Sequence, residues 1–287
     1  MSLQEKREIV RRHLMPAEEN KAISQVHTDH YTGDFFSYYG EMSRLSARVM
    51  VPLVLELVQA RSVIDVGCGT GEWLSVFREN GVEDIWGIDG PYVDQNQLEI
   101  PAGRFIPADL EQPFRMERRF DLVVSLEVAE HLSWSSAEAF VGSLIELGSV
   151  ILFSAAIPNQ GGENHLNEQW PEYWTELFNS KGFVVVDALR RRVWNNEKVQ
   201  WWYAQNTLIF VAQEQLRNYP LLSREYEVYD ASALPIVHPK LFLQKTENAK
   251  LWNIITMHSN SIAKRALKTL LPRSVYRLLR NGYSWRT

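Results

Sequence analysis

Hydrophobic and polar positions change their period along this chain. In SRLSARVMVPLVLELV the apolar residues Leu45, Val49, Leu53, Leu55 and Val58 recur at helical spacing, so the first sixty residues read as helical, with Pro52 placed to bend or restart the helix. After residue 60, short apolar runs alternate with helical stretches: SVIDV (62–66), a helix from about Glu72, DIWGID (84–89), RFIPAD (104–109), FDLVVSL (120–126), a helix from about Ser135, and SVILFSA (149–155). A helix over Glu172–Lys181 stops at Gly182, and the strands Phe183–Leu189 and Asn206–Val211 follow, able to pair antiparallel. Such alternation predicts an α/β fold with a mostly parallel sheet covered on both faces. The expected organisation is an N-terminal helical cap (1–59), an α/β domain (60–212) and a C-terminal extension (213–287).

Composition sets limits on this picture. The 287 residues are 45% hydrophobic and 23% charged, values of a globular chain. The longest apolar candidates, Val49–Val58 and Val150–Pro158, fall short of the roughly 20 residues that span a bilayer. MSLQEKREIVRRHL mixes both charge signs and does not read as a secretory signal. A single cysteine, Cys68, excludes an internal disulfide framework and a cysteine zinc cluster, and a cytoplasmic location is expected.

Charge is unevenly spread. The formal net charge of −5 divides into −13 up to residue 247 and +8 beyond it. In the tail, Ile262, Ala266, Leu267, Leu270 and Leu271 share one helical face while Lys264, Arg265 and Lys268 lie off it. Two readings stay open for residues 261–287: a helix pair docked on its own domain or in a homo-oligomer, or peripheral contact with the inner face of the cytoplasmic membrane. The acidic remainder weighs against a nucleic-acid partner, although Arg190, Arg191 and Arg192 form a compact basic group.

Candidate chemistry gathers where strands end. Asp65-Val66-Gly67-Cys68-Gly69-Thr70-Gly71 follows the first strand, and its G-x-G-x-G spacing with an upstream Asp differs from the dinucleotide pattern. Asp89 closes the second strand, where a carboxylate can accept both hydroxyls of a ribose, and Asp109-Leu110 follows the third. Glu127, Glu130 and His131 leave the fourth strand; on a helix their spacing would place all three on one face. His165 stands in a Gly- and Asn-rich loop after the fifth strand. Two carboxylates and an imidazole supply half of an octahedral magnesium or manganese site, which His165 could complete. The alternative has Glu127 on the cofactor, Glu130 and His131 at a helix start, and His165 acting alone as base. Cys68 reads as a small loop residue rather than a nucleophile, and His27 and His30 as surface residues.

These motifs resemble the class I S-adenosylmethionine-dependent methyltransferases over roughly residues 60–212. The resemblance implies a Rossmann-like, doubly wound, seven-stranded sheet with one antiparallel strand. It implies S-adenosyl-L-methionine as cofactor, held by Asp65, Gly67, Cys68, Gly69, Asp89, Asp109 and Leu110. E-x-x-E-H followed by a later histidine is similar to the metal site of small-RNA 3′-end 2′-O-methyltransferases, with Glu127, Glu130, His131 and His165 as ligands and His165 and Glu127 catalytic. SAAIPNQGGENHLNEQWPEYW and WWYAQNTLIFV resemble methyltransferases of bacterial surface-polysaccharide pathways. That likeness implies O-methylation of a sugar hydroxyl on a glycan or its nucleotide- or lipid-linked precursor. Trp194, Trp201, Trp202 and Tyr203, with Gln205 and Asn206 beside them, would suit a sugar, or else fill the core. On a strand, adjacent Trp201 and Trp202 would face opposite sides. Tyr31, Phe35, Phe36, Tyr38 and Tyr39 are candidates for a lid. An RNA ribose 2′-hydroxyl or a small phenol as acceptor, and a noncatalytic scaffold of glycan assembly, are the competing functions.

Overall fold

The structure, a computed structural model, describes residues 33–227 and 233–257, with side chains for 40–227 and 233–250. Tyr31, His27, His30 and the amphipathic tail 261–287 lie outside the described residues, as do the side chains of Phe35, Phe36, Tyr38 and Tyr39. Two compact units divide the chain, residues 1–238 and 239–287.

The first unit is built on seven strands: β1 (Ser62–Val66), β2 (Asp84–Asp89), β3 (Phe105–Pro107), β4 (Leu122–Leu126), β5 (Val150–Ser154), β6 (Phe183–Val186) and β7 (Leu208–Ala212). They lie in the order β3-β2-β1-β4-β5-β7-β6. The pairs β1–β2, β1–β4, β2–β3 and β4–β5 are parallel, whereas β7 runs antiparallel to both β5 and β6. This is the mostly parallel sheet the alternation predicts, in the doubly wound, Rossmann-like order with a late antiparallel strand that the resemblance implies. Every residue of β4 and β5 is buried, as central parallel strands covered on both faces must be.

Helices α1 (Gly33–Val58), α2 (Glu72–Glu79), α3 (Ala137–Leu147), α4 (Pro171–Asn179), α5 (Arg190–Val193), α6 (Trp201–Asn206) and α7 (Pro220–Glu227) complete the unit. Pro52 sits inside α1 without ending it, and Ala47, Met50, Val51 and Val54 of that helix are fully buried against the sheet's first face. On the other face Phe153, Phe178 and Phe210 form the centre of the core, with the Phe178 and Phe210 rings stacked 3.9 Å apart. α4 starts with Pro171, whose missing N–H costs nothing in the first turn, and the chain turns at Gly182 with φ +81°.

Two expected strands differ. The run Asn206–Val211 begins as strand only at Leu208, because Trp201–Asn206 forms the helical turn α6. Phe183–Leu189 stops at Val186, since Leu189 caps the short α5. The second unit contains α8 (Pro239–Met257). Among the described residues no helix is long and apolar enough to cross a membrane.

Candidate active site

The carboxyl ends of β1, β2, β3 and β4 open on one cavity of about 1180 Å³. Asp65, Gly67, Cys68, Gly69, Asp89, Asp109, Leu110, Glu127, Glu130, His131 and His165 all line it, so every residue singled out from the motifs lies at this crevice. Gly67 is irreplaceable there. Its φ is +83°, and an added Cβ would stand 2.2 Å from Cγ2 of Val128, the residue that crosses over from the end of β4.

Asp89 organises the loop. Its Oδ2 accepts the backbone N–H of Gly69 at 2.6 Å, and its Oδ1 accepts Gly90 N–H at 2.6 Å and the Tyr92 hydroxyl at 2.7 Å. Burial nevertheless pushes the Asp89 carboxyl up. Asp65 is pushed well up by burial, with Asp89 and Glu72 adding repulsion. Glu72, which the sequence reading passed over, is raised by burial against the hydrogen bond it accepts from the Thr70 hydroxyl. The Cys68 thiol is raised well above its ordinary value by burial and by these same three carboxylates, so it lacks the thiolate character of a nucleophile and remains a loop residue.

Taken together, the wall carries Asp65, Glu72, Asp89, Asp109, Glu111, Glu127, Glu130 and Glu163, with no Lys or Arg among the described lining residues. Carboxylates crowded in a partly enclosed cavity are stabilised by a cation. S-adenosylmethionine, with a sulfonium and an ammonium, fits that demand.

The same cavity holds a second cluster. Glu127 has φ +55°, so the chain leaves β4 abruptly, and residues 129–131 form one tight turn in place of the expected helix. Glu130, His131 and His165 come together there with one donor atom from each within 4.8 Å of the others. The loop carrying His165 is tied down by the carbonyl of Glu130, which accepts Leu166 N–H at 2.8 Å and Asn167 N–H at 2.9 Å. Glu130 is fully buried, and neither of its carboxylate oxygens finds a hydrogen-bond partner of normal geometry. Burial, then the neighbouring Glu127, pushes its carboxyl well up. An orphaned carboxylate beside two imidazoles is the donor set a hard or borderline divalent cation takes.

Glu127 neighbours that trio and is held by amides. Asn206 Nδ2 donates to both its oxygens, at 3.0 and 3.2 Å, and Gln160 Nε2 donates to Oε2 at 3.0 Å. His165 Nδ1 pairs with Glu168 Oε1 at 2.9 Å, and Glu168 also accepts Asn159 and Gly161 N–H. A carboxylate on Nδ1 orients the ring and leaves Nε2 for the site's chemistry. Glu168 was legible as the i+3 partner of His165 but went unremarked.

The aromatic residues divide. Trp201, Trp202 and Tyr203 line the cavity from α6, and Trp134 joins them. On a helical turn, and not on a strand, both tryptophans reach the same side, with ring centroids 5.5 Å apart. Tyr203, bonded to Ser43 at 3.1 Å, has its hydroxyl pushed up to about 12 by burial. Trp194 packs on His238 instead, and Gln205 and Asn206 are buried, which removes them from direct sugar contact. Arg190 is 1% exposed and bonded to Asp187, so it is not part of the exposed basic group, whereas Arg191 and Arg192 stay exposed.

Residues 38–218, more than half of the chain, match the family model for a methyltransferase domain. The chain belongs to that family. A search of curated proteins finds no match. Among solved structures it is similar to the methyltransferase domain of bacterial CtHen1-C (22% identity over 58% of this chain and 96% of that one, TM-score 0.41). It is also similar to DesVI of Streptomyces venezuelae (17% identity, 64% and 98%, TM-score 0.46). A third is CalS10, an amino pentose methyltransferase from Micromonospora echinaspora (14% identity, 64% and 98%, TM-score 0.46).

Proposed function

We propose that the methyltransferase transfers its methyl group to a sugar hydroxyl of a glycan. The observation that carries this reading is the wall of the cavity, which Trp134, Trp201 and Trp202 line together with Glu130, His131 and His165, with carboxylates and no Lys or Arg among the other described lining residues. Aromatic faces suit the apolar face of a sugar ring, and acidic walls repel phosphate. The acceptor portion that enters the cavity is therefore not anionic, whatever carrier it is attached to outside.

In this proposal Asp89 accepts the ribose hydroxyls of the donor, Asp109-Leu110 borders its adenine, and Asp65 with Glu72 faces its positive charges. Tryptophans of α6 stack the acceptor so that its oxygen lies in line with the methyl–sulfur bond. His165, oriented by Glu168, takes the hydroxyl proton at Nε2 as the new carbon–oxygen bond forms and the carbon–sulfur bond breaks. Magnesium or manganese would be held by Glu130, His131 and His165, and would supply a lowered hydroxyl pKa.

The test is methyl-labelled donor offered to neutral oligosaccharides, lipid-linked glycans, nucleotide sugars and RNA from the source cell. Label in neutral glycan is expected; label confined to RNA overturns the acceptor assignment. Chelator separates the two roles of the cluster. Loss of turnover restored by manganese or magnesium supports the metal, while full turnover in chelator leaves His165 as sole base, with His165→Ala then costing about 100-fold.

A further inference from the structure

Glu127 and His238 are 111 positions apart in the chain, yet one row of buried amides connects them. We propose that Gln205 and the segment 233–238 are positioning elements of the active site. Through a one-way chain of amides that starts at the backbone N–H of His238, they fix Glu127 as a hydrogen-bond acceptor at the cavity.

The direction follows from what each end can do. His238 N–H donates to Gln205 Oε1 at 2.8 Å, and a backbone N–H can only donate. Gln205 must therefore turn its Nε2 the other way, to Gln160 Oε1 at 3.1 Å and Asn206 Oδ1 at 2.8 Å. Both of those amides then point nitrogen onward, and both nitrogens land on Glu127. Ile157 N–H, donating to Gln160 Oε1 at 3.3 Å, fixes the same sense independently. Amide orientation is invisible from shape alone, but fixed ends determine it here. Turning one amide sets oxygen against oxygen or nitrogen against nitrogen at every joint. Gln205 and Asn206 are 1% and 3% exposed, so water does not relieve the mismatch.

The starting point is itself anchored. Arg190 donates to the carbonyls of Leu234 at 2.8 Å, Ala233 at 3.2 Å and Gln205 at 3.3 Å, and His238 Nε2 lies 3.0 Å from the Trp194 carbonyl. The other end is strained: Glu127 holds φ +55°, with its N–H bonded to Ser154. The amides supply three hydrogen bonds to its carboxylate, and Glu127 still lines the cavity. None of this depends on which hydroxyl is methylated.

The experiment uses the full chain and melting temperature. In Gln205→Glu one oxygen satisfies His238 N–H and the other faces Gln160 and Asn206, forcing both amides to turn their oxygens onto Glu127, with Gln160 giving up its bond from Ile157 N–H. A fall of about 5 °C or more is expected, with donor affinity within about threefold. Adding Glu127→Gln supplies a donor for the turned oxygens and should recover at least half of that fall. In a Gln205→Leu background the same addition should recover nothing. Should Gln205→Glu fail to fold, a folded Gln205→Glu/Glu127→Gln double variant is the expected result, and its failure to fold would overturn the proposal. Additive losses in the double variant, or equal recovery in the leucine background, would also overturn it. A loss of donor affinity that tracks the melting temperature would reduce Gln205 to a packing residue.

Discussion

Replacing Asp89 with asparagine should weaken S-adenosylmethionine by about 3 kcal/mol, roughly 150-fold. Each carboxylate oxygen now serves a backbone N–H, Gly69 on Oδ2 and Gly90 on Oδ1, and an amide has only one oxygen to offer. Kept on Gly90 and Tyr92, the amide oxygen leaves an NH₂ group pressed against Gly69 N–H. That loosens the loop that borders the donor, a penalty of at least about 1 kcal/mol for an unsatisfied buried group. The charge-assisted bonds expected from the ribose hydroxyls contribute about 2 kcal/mol more. Titration calorimetry with both S-adenosylmethionine and S-adenosylhomocysteine measures the sum, and both ligands should weaken alike because the ribose is common to them. Tyr92→Phe removes the hydroxyl 2.7 Å from Oδ1 and should leave affinity unchanged within about threefold, or raise it. A loss under about fivefold in the asparagine variant, or one confined to the methylated ligand, would refute the ribose assignment.

Two further outcomes are expected. Burial raises Asp65, Glu72 and Asp89, so the folded chain holds protons more tightly than the unfolded one; their stabilising share is complete below the ordinary carboxylate range and is lost as pH climbs through the raised values. A cationic ligand reverses that bias, so the melting-temperature gain from saturating S-adenosylmethionine should be larger at about pH 8 than at about pH 5.5, and equal gains would refute the acidic-cradle argument. Gly162→Ala places a Cβ 2.2 Å from His165 Nε2 and should turn the ring off Glu168, cutting turnover about 100-fold while donor affinity holds within about twofold. Unaltered turnover would remove His165 from the chemistry.

The donor half of the site was legible because its signals are local. Asp65, Gly67, Asp89 and Asp109 each sit where a strand stops, and strand ends show in the sequence as a change of period. The acceptor half was less so. WWYAQN reads as strand by β-propensity, yet forms a six-residue helical turn too short to display a 3.6-residue period, with its end fixed by the reach of Asn206 to Glu127. Arg190 reads as a surface cation because two of the carbonyls that bury it, those of Leu234 and Ala233, lie more than forty residues away. The helix that would carry Glu127, Glu130 and His131 on one face fails where the chain leaves β4, with Glu127 at φ +55° and Val128 at φ −123°.

The reversed direction of β7 separates the molecule into two exchangeable halves. A parallel strand would bring its carboxyl end to the cavity, but β7, pairing Leu208 with Phe153, brings the segment that precedes it. The α6 part of the proposed acceptor wall is thus encoded some ninety residues after the last donor loop, with Gln205 and Asn206 as the seam between them. Keeping that seam and the glycine loop fixed while recombining the residues before Gln205, Trp201 and Trp202 above all, offers a route to redirect methylation without rebuilding the donor pocket.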